Sequence, residues 1–444
     1  MPSPWCSGVT ESVASPFRGL EFLEYVATSA GMALACSAYL VIADLQTQVG
    51  SWAPLAVIGG FLVCVVLALS IGELAGQFPG APGAYTYFRT SFGPRVGLAC
   101  SFVVLCVVIL FAGAECRALL ITARPLLGGI PEVLTVSFVL AATTAANLVG
   151  KALPRAVQLI FTALVIATIV GLSGYVVASS PVTTPQTELP FFDAMAGVGS
   201  AIFLYMGFEW VTPLGRSMDA YRMRVPWSML VALVLLCGTY TVLAFAAGSQ
   251  SPGSSLPHLA VARRVWGRPG ELLMGVISIF SLVTTFNAGL MGASRLVYVL
   301  AREGHLPQRL TTISGTTGVP IAATLAIGML AWICGMLEVT FRVYETLLLV
   351  CAGLYCAVYG AFMHACLRLR KIRPNHARPF RTRIPEWFQR LLAWSLPLLG
   401  LGALLSQPER RWGASVLFAT VIVICWCGVS LNGRRRLLGA KAAQ

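Results

Sequence analysis

The run Ser200-Ala201-Ile202-Phe203-Leu204-Tyr205-Met206-Gly207-Phe208-Glu209 lies inside an apolar stretch from about residue 194 to 218. A helix needs about 20 residues to cross a bilayer core, so Glu209 falls near mid-depth. A carboxylate there costs roughly 3 kcal/mol or more and is a functional candidate by default. Gly207, just before it, weakens the helix. A loosened helix, freed backbone groups and an ionisable side chain at one depth are what a ligand site inside a membrane needs. The blander reading is that Glu209 caps a broken helix or bonds a neighbour. A second run, Ser29 to Tyr39, is made of small residues at mid-depth. Small residues let helix backbones approach closely. If the helix opens there, its backbone N–H groups point at an anion.

The elements that must hold these points are membrane helices. The chain has 444 residues, 57% hydrophobic and 11% charged, against about 25% charged in soluble domains. Apolar spans fall near 22–48, 53–77, 95–121, 131–149, 154–178, 194–218, 226–248, 271–300, 319–337, 343–367, 388–406 and 412–431. This predicts an all-α polytopic membrane protein with about 12 transmembrane helices. Residues 1–20 carry no apolar signal-peptide region. The two candidate openings lie in spans one and six, the spacing an inverted repeat of five-helix units gives.

The net charge of +14 reads as topology rather than nucleic-acid binding. Most Lys and Arg cluster after spans two, six, eight and ten, before span five and in the tail, including Arg368 to Arg390. The positive-inside rule then puts both termini in the cytoplasm. Arg outnumbers Lys and no N-x-S/T site occurs, which points to a bacterial inner membrane. Glu73, Asp44 and Glu115 fall near span ends, which predicts interfacial, solvated carboxylates. Most cysteines lie inside apolar spans, where they act as small hydrophobes. No C-x-x-C pair and no metal-type histidine spacing occurs, so neither disulfides nor a metal are expected. No H-E-x-x-H, G-x-S-x-G or phosphate loop occurs, so the chain reads as no enzyme and needs no cofactor.

Four motifs then carry a resemblance. Span two ends in Glu73-Leu74-Ala75, with Pro79, Gly83, Tyr85 and Tyr87 following. Span eight ends in Ser294-Arg295, with Tyr298, Ala301-Arg302-Glu303-Gly304 and Pro307. Gly207-Phe208-Glu209 precedes a basic stretch ending at Pro226, and Asn147 with Gly150-Lys151 joins spans four and five. In this order they resemble the amino acid permeases of the amino acid–polyamine–organocation superfamily, over about residues 22–431. The resemblance implies a five-plus-five inverted repeat with discontinuous helices one and six, plus two extra helices. The chain would divide into a cytoplasmic segment 1–21, repeats 22–178 and 194–367, a basic loop 368–387, two additional helices 388–431 and a basic tail 432–444. The family's G-S-G-I-F motif falls on Ala35-Cys36-Ser37-Ala38-Tyr39, with both glycines replaced.

The implied function is secondary active transport of an amino acid or amino-acid-like compound by alternating access, linked to protons. The alternatives are a cationic amine or polyamine transporter, or a non-transporting amino acid sensor subunit. The implied substrate-binding set is Ala35, Cys36, Ser37, Phe203, Tyr205, Met206 and Gly207. Gly289 joins it, falling where relatives can carry a large pocket side chain. Glu209 sits where the resemblance suggests a proton-responsive acid. Thr284 and Thr285 offer oxygens to a sodium ion as the other candidate coupling ion. Some relatives carry a lysine in span five, but here it has none, and its polar members include Gln158, Thr162 and Thr168. The substrate, the direction of transport and the oligomeric state are not set by the sequence.

Overall fold

The computed structural model describes residues 19–78, 83–150, 152–179, 189–215, 220–249, 256–405 and 409–442. The expected N-terminal segment, apart from its last residues, lies outside them. So do Pro79 and Lys151 of the motifs, and the side chains of the basic tail. Among the described residues there is no strand. The helices are α1 (Leu20–Ala33), α2 (Cys36–Val49), α3 (Ala53–Gln77), α4 (Ala84–Phe92), α5 (Pro94–Thr122), α6 (Arg124–Leu127), α7 (Glu132–Val149) and α8 (Ala152–Ser179). They continue with α9 (Phe191–Ile202), α10 (Val225–Gly248), α11 (Pro257–Trp266), α12 (Arg268–Arg302), α13 (Ile321–Phe341), α14 (Tyr344–Ile372), α15 (Glu386–Leu405) and α16 (Arg411–Ala442).

Eleven helical stretches among the described residues are long and apolar enough to cross a membrane. The difference from twelve lies at span one. Its first half, α1, has only 14 residues, and its second half runs on into span two as Cys36–Gln77. The break between α1 and α2 is therefore what divides the first span. Span six breaks likewise: α9 ends at Ile202, a short tight turn covers Phe203–Tyr205, and a 3-10 segment follows at Phe208–Leu214. The breaks fall at Leu34–Ala35, at the edge of the expected stretch Ala35–Ser37, and at Met206–Gly207, within the expected Tyr205–Gly207, in a five-plus-five order to which α15 and α16 are added.

Packing follows from the sequence. Proline sits in the first turn of α3, α5 and α10, where its missing N–H costs no hydrogen bond. A Cβ on Gly60 would lie 2.8 Å from the Ala201 carbonyl carbon, and one on Gly360 would lie 2.7 Å from the Ala393 oxygen. Glycine thus sets how closely α3 meets α9 and α14 meets α15. Large apolar side chains such as Phe138, Leu164, Leu330, Trp394 and Ile424 are left exposed. On a membrane protein these face lipid.

Two of the acids expected at span ends behave differently. Asp44 is exposed, as a solvated carboxylate should be. Glu73 is not: it is fully buried. Arg370 of α14 donates to both of its oxygens, at 2.9 and 2.6 Å, and Thr382 N–H donates at 3.0 Å. Arg378 adds an ion pair at 3.4 Å. Phe380 packs against Gly72 and Gly76 of α3. The basic loop after α14 is thus folded back onto α3 around one carboxylate. Its arginines compensate the burial, which a depth estimate from the sequence alone does not register.

Two stability predictions follow. Glu73→Gln takes from Arg378 and Arg370 their buried counter-charge, leaving Arg370 only the half-exposed Glu386 at 3.7 Å, and breaking a buried pair in this way costs about 3–5 kcal/mol. A clear drop in the thermal midpoint in detergent is expected, and an unchanged midpoint would contradict this account of the loop. His258, in α11 outside the membrane-spanning segments, stacks on Tyr39 at 4.4 Å. Burial takes its imidazole down to about 3, from an ordinary value near 6.5. The unfolded chain therefore binds a proton there that the folded chain refuses, and stability is lost as pH falls from about 6.5 towards 3. His258→Phe should lose less thermal stability than the parent between pH 7 and 4, and equal losses would show that His258 is not responsible.

Candidate functional site

The site is built where the two breaks meet. Gly207 has φ 102°, and a Cβ there would stand 2.4 Å from Met32 Cγ of α1. Only glycine takes that backbone without strain, so Gly207 permits both the turn and the contact with α1. Its N–H donates to Tyr359 Oη of α14 at 2.9 Å, and the same hydroxyl donates to Glu209 Oε2 at 2.8 Å. Ser29 Oγ of α1 donates to the Phe208 carbonyl at 2.8 Å. Glu209 is buried and lines a small cavity with Val104, Thr212, Leu296 and Phe362.

The first break is held from α5, α8, α10 and α12. Leu34 N–H still reaches Ala30 O, at 2.9 Å. Tyr240 Oη donates to Ala33 O at 2.6 Å, and Thr285 Oγ1 donates to Gly31 O at 3.1 Å. Gln158 Nε2 and Thr162 Oγ1 both donate to Ala27 O, at 3.1 and 3.3 Å. Gln158 accepts from Asn287, which in turn accepts from Asn147. Span five, which carries no lysine, thus reaches the part of helix one before the break through neutral donors, while Arg155 nearer its start pairs with Glu24 at 4.0 Å.

Helix one opens although both family glycines are replaced. Ala35 is in extended conformation, which alanine adopts without strain. The freed N–H groups are not open to an outside anion. Cys36 N donates to Glu115 Oε2 at 2.7 Å, and Ser37 N donates to Glu115 Oε1 at 3.3 Å. Glu115, on α5, is fully buried. This corrects the expectation of a solvated carboxylate at the surface. The start of α2 supplies two charge-favouring donors that the sequence of α5 by itself does not reveal.

Gly289 faces a cavity also lined by Met32, Val108, Phe111 and Glu115. A Cβ at Gly289 would make only ordinary contacts, at 3.4–3.5 Å, with Val108 and Met32. Thr285 lines the same cavity. The other expected residues point elsewhere. Cys36 Sγ donates to Ser278 O at 3.0 Å and packs with Leu119 and Leu282. Tyr205 Oη donates to Val57 O at 2.9 Å, turning towards α3. Phe203 packs edge-on against Phe111. Thr284 Oγ1 is spent on Ser281 O of its own helix, at 2.9 Å. Sequence reading missed Tyr359 and Asn287 altogether. Tyr359 is one tyrosine among several in apolar spans, and only the fold brings it to Glu209.

A family model described as amino acid permease matches residues 20–432. An uncharacterized amino acid permease of Bacillus subtilis is 28% identical over 44% of this chain and 48% of its own length. The vacuolar cationic amino acid transporter 4 of Arabidopsis thaliana is 24% identical over 71% of this chain. The chain thus spans 48% and 57% of the length of these two relatives. An uncharacterized transporter of Mycobacterium bovis is 24% identical, covering 96% of this chain and 93% of its own. Among solved structures, a mutant Eremococcus coleocola manganese transporter aligns with TM-score 0.63 at 14% identity, covering 96% of this chain and 98% of its own. That likeness is one of fold alone. These relatives are transporters and permeases rather than enzymes, and the chain, matched by the family model over nearly its whole length, belongs to the amino acid permease family.

Proposed function

We propose that the chain is a secondary active transporter that moves an amino acid or amino-acid-like compound by alternating access, with Glu209 as the proton-linked group. The observation that carries the proposal is the Gly207–Tyr359–Glu209 chain. Tyr359 can donate to Glu209 only while the carboxylate oxygen accepts. When Glu209 takes a proton on Oε2, that oxygen becomes a donor and the Tyr359 hydroxyl turns to accept it, whereas a proton on Oε1 leaves the Tyr359 bond in place. Tyr359 also holds the Gly207 amide, so protonation at Oε2 changes the tie between the span-six break and α14. That is a two-state element at the point where the helices part.

A ligand ammonium nearby favours the ionised form of Glu209, so ligand and proton compete, which is the linkage a proton-coupled carrier or exchanger needs. The threonine pair offers sodium less. The hydroxyls of Thr284 and Thr285 both serve as donors to helix carbonyls, the common use of threonine between membrane helices. In this reading the basic face, with both termini and the loop after α14, lies in the cytoplasm of a bacterial cell, by the positive-inside rule.

Two measurements test this. Purified parent and Glu209→Gln are compared for uptake into liposomes from pH 5 to 8. The variant should still carry ligand but lose the pH dependence of the parent, and an unchanged profile would reduce Glu209 to a helix-break cap. If the parent carries no amino acid or amine at all while still binding one, the sensor-subunit alternative replaces transport. Gly289→Trp fills the cavity beside Met32. It should lower uptake at least about tenfold, equivalent to about 1.4 kcal/mol, with expression near that of the parent. Parental uptake in that variant would show that this cavity is not on the ligand's path.

A further inference from the structure

We propose that Glu115 is a specificity-determining residue. It supplies from within the chain the carboxylate that the opened end of α2 holds, so that the adjoining cavity takes an apolar primary amine that carries no carboxylate of its own. The inference rests on the transport reading above and narrows its substrate class.

The start of α2 has two donors at the break, the N–H groups of Cys36 and Ser37, and both are bonded to Glu115. A half-helix N-terminus favours one negative charge. A ligand carboxylate brought to the same place would find those amides taken and a like charge beside it. Like charges within a few ångströms in a water-poor interior repel strongly. A ligand ammonium meets the opposite situation. Arginines pair with Glu21, Glu24, Glu73, Glu132, Glu271, Glu303 and Glu338. Among the described residues, no ion pair engages Glu115. Glu115 is nevertheless among the residues lining a cavity whose surface is almost wholly apolar, and no Lys, Arg or His lines that cavity with it.

The cavity as it stands is only about 10 Å³, room for about one water, so a ligand enters only as the helices around it part, and its walls then set the rest of the ligand. Met32, Val108, Phe111, Leu282, Phe286 and Ile327 surround the acid, with Thr285 as a polar neighbour. Apolar walls around a single carboxylate suit a monoamine with a hydrocarbon body. A di- or polyamine would bring its second charge against apolar walls, at a desolvation cost nothing there offsets.

The test uses matched pairs that differ only by the carboxylate: leucine with 3-methylbutylamine, and phenylalanine with 2-phenylethylamine. Binding to purified full-length protein is measured by calorimetry. Uptake into liposomes is measured against protein-free liposomes, which correct for passive amine entry. The parent should bind each amine at least about tenfold more tightly than its amino acid. Glu115→Ala frees the amides and should reverse that preference. Glu115→Gln keeps the shape and loses the charge, and should lose amine binding without gaining the amino acid. It carries the test if the alanine variant does not fold. A residue that merely packs would change overall binding but not the ratio within a pair. If the parent binds and carries amino acids but not amines, the transport reading stands and this inference is overturned. If the variants keep the parental ratio, Glu115 is not the determinant. If no compound of either class binds or is carried, the transport reading fails with it.

Discussion

A helix broken inside a bilayer frees backbone groups that water cannot reach, and each must find a partner within the protein. That constraint organises this molecule. At the first break the carbonyls of Gly31 and Ala33 are met by side chains of α12 and α10. The amides of Cys36 and Ser37 are met by α5. At the second break the Gly207 amide is met by α14 and the Phe208 carbonyl by α1. The two breaks are therefore joints at which several spans are tied by single hydrogen bonds. A joint made this way responds to anything that changes a donor into an acceptor.

Two of the partners are acids, and they have different tasks. Glu115 answers to the backbone amides of Cys36 and Ser37, which fix its position. Glu209 answers to a tyrosine hydroxyl, which can reverse its role. The first is suited to hold a charge where a ligand must recognise it. The second is suited to exchange a proton when the ligand arrives. By contrast Glu73, equally buried, is held by two arginines and a backbone amide and serves to fasten a loop. Three buried glutamates thus differ in what holds them, and not in depth alone.

Much of the fold was legible in the sequence because hydropathy marks spans directly. The two breaks were legible as well, the second from Gly207 close before Glu209, the first as a small-residue run from Ser29 to Tyr39 that the resemblance narrowed to Ala35 to Ser37. The site was legible only in part. Glu209 stood out by its depth within one span, a property of local sequence. Glu115 and Glu73 did not, because their depth from a span end says nothing of what faces them across the bundle. Cys36 was placed at the right break, but its thiol points at Ser278 rather than into the cavity, since side-chain direction depends on how α2 turns against α12. Tyr359 and Asn287 were silent for the same reason: their partners lie well over a hundred positions away in the chain.

The central claim is that ligand and proton are linked through Glu209 at the second break. The most direct measurement is of protons released when ligand is added to the purified protein in weak buffer, followed with a pH indicator near neutral pH. The account predicts release on addition of the tightest-binding amine or amino acid of the matched pairs, in the parent and not in Glu209→Gln, with both binding the ligand. Equal release from the two proteins, or none from either while ligand binds, would contradict it.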